Sequence, residues 1–228
     1  MKDKEYRYFI IICFLVIPLF MFLSCEKEIN EKETDVTLHN DDDKDKPIVE
    51  GENLMKNGGL EEWISFSSYD IPDGWLCHNN YNVRKSRDMV SEGHYSAKMS
   101  ALEKGSTARI DQNIPVESGK RIRIRFNYYI AEWQAKGART YCYFRTQAAE
   151  KYNISAEELH KYFDDDNYRI LRGGGYGLSY LPHDLLTWNT FDEIITVPPI
   201  ANYFVFGVNS YYGTTIYVDD CRVTQVIE

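Results

Sequence analysis

Residues 121–131 read Arg-Ile-Arg-Ile-Arg-Phe-Asn-Tyr-Tyr-Ile-Ala, and this run constrains the fold more than any other stretch of the chain. Ile122, Ile124, Phe126, Tyr128 and Ile130 fall on one side of an extended backbone. Arg121, Arg123, Arg125, Asn127 and Tyr129 fall on the other. A period of two with one apolar face specifies a half-buried antiparallel strand, because successive side chains of a strand point to opposite faces. A helix would scatter the same apolar residues around its circumference.

The pattern recurs. Residues 139–146 set Arg139, Tyr141, Tyr143 and Arg145 on one face and Thr140, Cys142 and Phe144 on the other. Residues 203–211 set Phe204, Phe206 and Val208 against Tyr203, Val205, Gly207, Asn209 and Tyr211. Residues 214–224 are rich in Thr, Val, Ile and Tyr and read as a closing strand. Shorter strands are predicted at 81–87, 94–101, 107–114 and 190–197. Glu117-Ser118-Gly119-Lys120, Pro198-Pro199 and Tyr212-Gly213 supply turns. One segment departs: Ser155 and Glu158 have capping-box spacing ahead of Leu159, Tyr162 and Phe163, so a short helix is expected near 155–163. Many short strands with one inserted helix predict an all-β antiparallel sandwich over residues 51–228.

The front of the chain has another character. Phe9–Ser24 carries no charge over 16 residues and contains Pro18, which is short for a spanning helix and suited to a signal-peptide core. It ends Phe22-Leu23-Ser24-Cys25, which resembles a lipobox with Phe22 in place of the usual Leu. Residues 1–24 are therefore expected to be a lipoprotein signal peptide, with Cys25 lipidated and the protein anchored in an outer membrane, exposed at the cell surface. Residues 25–50 form the expected tether. Nine acids and four lysines lie between residues 26 and 48, with no aromatic, so most of the net charge of −9 falls there. No basic footprint for nucleic acid is left. Cys77, Cys142 and Cys221 remain in the domain, an odd number that leaves at least one thiol free.

Several motifs stand in one order: Asn57-Gly58-Gly59-Leu60-Glu61-Glu62-Trp63, Pro72-Asp73-Gly74-Trp75, Glu92-Gly93-His94-Tyr95, Gln112-Asn113-Ile114-Pro115 and Tyr217-Val218-Asp219-Asp220. The series resembles the galactose-binding-like jelly-roll domains, which include many carbohydrate-binding modules and surface lipoproteins of Bacteroidetes. The resemblance implies a structural calcium held by Glu61 and Asp220, with Asp219 as substitute. Turn caps or lysine pairs are the alternative roles for these carboxylates. It also implies glycan binding on a sheet face or at loop ends.

The ligand-binding candidates are Tyr129, Tyr141, Tyr143, Arg145, Asn209, Tyr211 and Trp188. Sugar rings offer an apolar face to aromatic rings and a hydroxyl rim to Arg and Asn. Tyr129, Tyr141, Tyr143 and Tyr211 are expected to share one sheet face with Arg123, Arg125, Arg139, Arg145 and Asn209. Trp133, Tyr176, Tyr180 and Trp188 are the loop candidates, and Trp63 and Trp75 belong to the core. No nucleophile elbow, His-Glu-x-x-His or paired-carboxylate motif stands out, so binding rather than catalysis is expected. A glycan is the first candidate partner. The alternative is a structural or adhesin-type lipoprotein whose sandwich docks another protein.

Overall fold

The computed structural model describes residues 47–134, 136–145, 180–199 and 201–227. The expected signal peptide, Cys25, most of the expected tether, the helix expected near 155–163 and Tyr176 lie outside the described residues.

Among the described residues thirteen strands follow in order: β1 (Val49–Asn53), β2 (Trp63–Ser65), β3 (Asp70–Pro72), β4 (Leu76–His78), β5 (Val83–Ser86), β6 (Ser96–Ser100), β7 (Thr107–Pro115), β8 (Arg121–Glu132), β9 (Ala138–Thr140), β10 (Tyr143–Arg145), β11 (Trp188–Thr196), β12 (Tyr203–Tyr211) and β13 (Thr215–Ile227). All the pairings between these strands are antiparallel. One sheet runs β11-β8-β13-β6-β5, with β1 also on β13. The second runs β10-β12-β7-β4, with β9 also on β12, and β2-β3 is a separate hairpin. The fold is an all-β jelly-roll sandwich.

The alternating residues of the long strands make the core. Ile122, Ile124, Phe126, Tyr128 and Ile130 of β8 are buried, as are Phe204, Phe206 and Val208 of β12. The Phe126 and Phe206 rings meet edge to face at 5.4 Å, joining the two sheets. Trp75 lies in this core and packs on Phe206 at 5.9 Å, while Trp63 packs against its margin. Cys77, Cys142 and Cys221 are all free thiols, and burial pushes Cys77 and Cys142 up to about 12.

β13 explains the Asn-Gly-Gly motif. Its pairing with β8 slips between Asp219 and Arg222, a bulge in which Asp220 takes a φ of 46°. The bulge lets Val218, Cys221 and Val223 all face inward although their spacing is not even throughout. β6 pairs Thr215–Val218 and β1 pairs the far end of β13, leaving the bulge between them. Gly58 fills that space: its carbonyl accepts from Cys221 N at 2.9 Å, and Asn53 Nδ2 donates to Cys221 O at 3.1 Å. Buried Gln112 ties the same loop down, accepting from Lys56 N at 2.8 Å and donating to Lys56 O and Gly74 O. The ordered motifs thus form one structural junction.

Candidate functional site

The outer face of the five-stranded sheet is a grid built by register. On β12 the outward positions are Tyr203, Val205, Gly207, Asn209 and Tyr211, since Phe204, Phe206 and Val208 belong to the hydrophobic core between the sheets; Val205, Gly207 and Asn209 are themselves largely covered. β7 places Asn113 opposite Val205, Asp111 opposite Gly207 and Arg109 opposite Asn209. On the other side of β12, Tyr143 stands opposite Val205 and Arg139 opposite Asn209. β4 adds Leu76 beside Asp111 and His78 beside Arg109.

The expected single strand over 139–146 is two short ones, β9 and β10, because Tyr141 and Cys142 leave the regular ladder. Tyr141 N still donates to Gly207 O at 2.7 Å. The face assignment is unaffected: Thr140, Cys142 and Phe144 are buried while Arg139, Tyr141, Tyr143 and Arg145 are half-buried on the outer side.

Gly207 is the key to the arrangement. Its missing side chain leaves room for the Tyr141 backbone on one edge and Asp111 on the other, and the Tyr141 ring lies 4.4 Å from the guanidinium of Arg109 on β7. A Cβ at Gly207 would stand 2.9 Å from Tyr141 O and 3.0 Å from Asp111 Cβ. Tyr143 meets the Tyr141 ring edge to face at 5.6 Å. Val205, Gly207 and Asn209 of β12 thus lie between Tyr141 and Tyr143 on one edge and Asn113, Asp111 and Arg109 on the other.

Asp111 is the buried carboxylate of this face. Arg109 Nε lies 3.0 Å and His78 Nε2 2.9 Å from its Oδ2. Burial pushes the Asp111 carboxyl above its ordinary value, against the pull of Arg109 and His78. Within that raised window the folded chain holds a proton that the unfolded chain has lost, so ionising Asp111 draws on stability as pH rises. Tyr143 and Tyr211 are also pushed up by burial.

Topology corrects the expected grouping. Tyr129, Arg123 and Arg125 belong to β8, in the six-stranded sheet, and cannot share a face with Tyr141, Tyr143 and Tyr211. Trp188 opens β11 rather than lying in a loop, and it stands opposite Tyr129 with ring centroids 5.7 Å apart. Tyr129 also meets Tyr217 at 6.1 Å, so these three rings make a cross-strand row on the other sheet. Trp133 is in the loop after β8, stacked on His183 at 4.6 Å. Tyr180 is exposed beside Arg139. Asp111, Arg109 and His78 are additions to the sequence-derived set. The alternation Arg109, Asp111, Asn113 against Ile110, Gln112, Ile114 was a signal for the first two; His78, on a three-residue strand, had none.

The carboxylates assigned to calcium have other partners. Glu61 Oε1 accepts from the backbone N of His94 and Tyr95 at 2.8 and 3.1 Å. Asp219, fully buried, accepts from the backbone N of Ser91, Glu92 and Asp220. Asp220 pairs with Arg222 Nε at 2.8 Å. Calcium needs six to eight oxygen ligands, whereas these oxygens face N–H donors and a guanidinium. Among the described residues no cluster of three or more His, Cys, Asp or Glu side chains comes together to hold a metal. The residues do not fit a calcium shell as they are arranged, and the turn-cap role describes Glu61 and Asp219. Chelator is therefore expected to leave the melting temperature unchanged; a fall reversed by added calcium would return these positions to a cation.

No protein-family model matches the chain, and no curated protein matches it. Solved structures do. The enzymatically active domain of the bacteriophage CBA120 tailspike protein 4 is 15% identical with a TM-score of 0.53, over 76% of this chain and 21% of that one. The match spans about a fifth of the length of that tailspike domain. A family 61 carbohydrate-binding module in complex with β-1,4-galactotriose is 14% identical, with a TM-score of 0.48 over 77% of this chain and 99% of that one. A xylan-binding domain from Paenibacillus barcinonensis is 9% identical, with a TM-score of 0.47 over 78% and 97%. At these identities the likeness is one of fold.

Proposed function

We propose that this is a non-catalytic carbohydrate-binding protein, carried on a lipid at Cys25 and displayed at the cell surface, whose glycan site is the outer face of the five-stranded sheet. The observation that carries the reading is the edge-to-face pair of half-buried Tyr141 and Tyr143 rings on this face, with the Tyr141 ring 4.4 Å from the Arg109 guanidinium and Asn113 in register on β7. Aromatic faces take the C–H face of a sugar, and the half-buried Arg109 and Asn113 beside them take its hydroxyls. Phe22-Leu23-Ser24-Cys25 supports the anchor, and the acidic stretch after it supports a solvated tether.

The test is retention on immobilised polysaccharides by affinity gel electrophoresis. Tyr141→Ala and Tyr143→Ala should each weaken binding about tenfold or more, the loss of roughly 1.4 kcal/mol or more expected when a central aromatic contact is removed. Tyr129→Ala and Trp188→Ala, on the other sheet, should bind like the parent. Undiminished binding in both Tyr141 and Tyr143 variants would place the site elsewhere.

A further inference from the structure

Several cations of the six-stranded sheet pair with carboxylates, although Arg84 bonds the Asn80 and Val83 carbonyls and Lys85 lies 3.7 Å from the Tyr95 ring. On the six-stranded sheet Arg123 forks onto Asp192 at 2.7 and 2.6 Å and reaches Glu50 at 2.6 Å. Arg222 bridges Asp220 and Glu92, and Lys98 lies 3.9 Å from Asp88. On the five-stranded sheet the outward strand positions carry Arg109, Arg139 and Arg145 against a single carboxylate, Asp111, which Arg109 and His78 already engage. Among the described residues no carboxylate pairs with Arg139 or Arg145, and the buried Nε of each has no hydrogen-bond partner there. Their neighbours are rings: Arg139 lies 4.8 Å from Tyr211 and 5.6 Å from Tyr180, and Arg145 adjoins Tyr143 on the same face.

A guanidinium partly removed from water beside an aromatic ring has lost hydration that only an anion replaces in full. Carboxylates and sulfates accept two parallel N–H bonds from it, which is stronger and more directional than a hydroxyl contact. Arg139 and Arg145 stand six residues apart, about 15–20 Å along the β9–β10 segment, with Tyr141 and Tyr143 between them. Charges so spaced match a repeating polymer rather than one monosaccharide.

From this we infer that the ligand of the five-stranded face is an acidic polysaccharide, with its carboxylate or sulfate groups taken by Arg139 and Arg145 and its rings by Tyr141 and Tyr143. The inference rests on the carbohydrate-binding reading above and narrows it.

The experiment is affinity gel electrophoresis of the purified protein against polygalacturonate, a sulfated galactan and a neutral β-1,4-galactan, at two salt concentrations. The expected result is binding to at least one acidic polymer, weakened about tenfold between 50 and 500 mM salt, as screening predicts for exposed charge pairs. Which acidic polymer binds identifies carboxylate or sulfate as the group recognised. Arg139→Gln and Arg145→Gln should each reduce that binding severalfold with the melting temperature unchanged, while Lys98→Gln on the opposite sheet should not. Equal, salt-insensitive binding of the neutral galactan would overturn the acidic ligand and leave the carbohydrate reading standing. Acidic binding indifferent to both arginine variants would overturn the assigned site. Retention by none of the three polymers would overturn the acidic ligand, and silence across a wider neutral panel would then remove the carbohydrate reading as well.

Discussion

Phe126→Ala should cost about 3–5 kcal/mol, the range for truncating a buried aromatic. Phe126 is fully buried on β8, which lies between β11 and β13 in the six-stranded sheet. Its ring stacks on Phe191 at 5.0 Å, tilts against Tyr128 at 5.9 Å and meets Phe206 of the opposite sheet edge to face at 5.4 Å. Phe206 in turn packs on Trp75. Removing the ring opens a cavity where both layers are joined, and the flanking strands cannot close it without breaking their ladders. A domain of ordinary stability holds about 5–15 kcal/mol, so the variant would be near unfolding. Urea denaturation checks this. A loss below about 1 kcal/mol would mean that the sheets are held together elsewhere.

Gly58→Ala should be comparably damaging, and for a different reason. A Cβ there would sit 2.1 Å from Cys221 O and 2.8 Å from Asn53 Nδ2. The first neighbour is backbone, inside the β13 bulge, and cannot rotate away. Relief requires moving the bulge off Gly58, which breaks the Cys221 N to Gly58 O bond and the Asn53 contact. Ordinary overpacking costs about 1–3 kcal/mol, and this case belongs at or above the top of that range. Gly51→Ala is the control: its Cβ would meet only Gln225 O, at 3.6 Å, and the expected change is below about 1 kcal/mol. Similar denaturation midpoints for the two variants would contradict the account of the junction.

The long strands were legible because their alternation is local. β8 and β12 were expected at 121–131 and 203–211 and stand at Arg121–Glu132 and Tyr203–Tyr211. β2, β3 and β4 were not read from the sequence, since three residues are too few to show a period. The grouping of Tyr129 with Tyr141 failed for a deeper reason. Alternation tells which residues of one strand share a face; it carries no information on which strands share a sheet. β8 pairs with β11 and β13, whereas β12 takes β7, β9 and β10, and only the connectivity of the whole chain decides that. Gly207 shows a second limit. In the sequence it is one outward position of a strand, and its importance comes from Tyr141 and Asp111, 66 and 96 residues away, meeting on either side of it. The Asn57-Gly58-Gly59 motif was visible, but its role depended on a bulge at Asp219–Arg222 that strand propensity does not reveal. Asp219 and Asp220 are adjacent in sequence, yet the bulge sends one to the amides of Ser91 and Glu92 and the other to Arg222.

The most direct test of the binding face is a crystal structure of the protein grown with a polysaccharide fragment that it retains. The sugar should lie over the Tyr141 and Tyr143 rings, with hydroxyls or acidic groups within hydrogen-bond distance of Arg109, Asn113, Asn209, Arg139 or Arg145. A sugar bound instead along the Trp188–Tyr129–Tyr217 row, with the five-stranded face unoccupied, would contradict it.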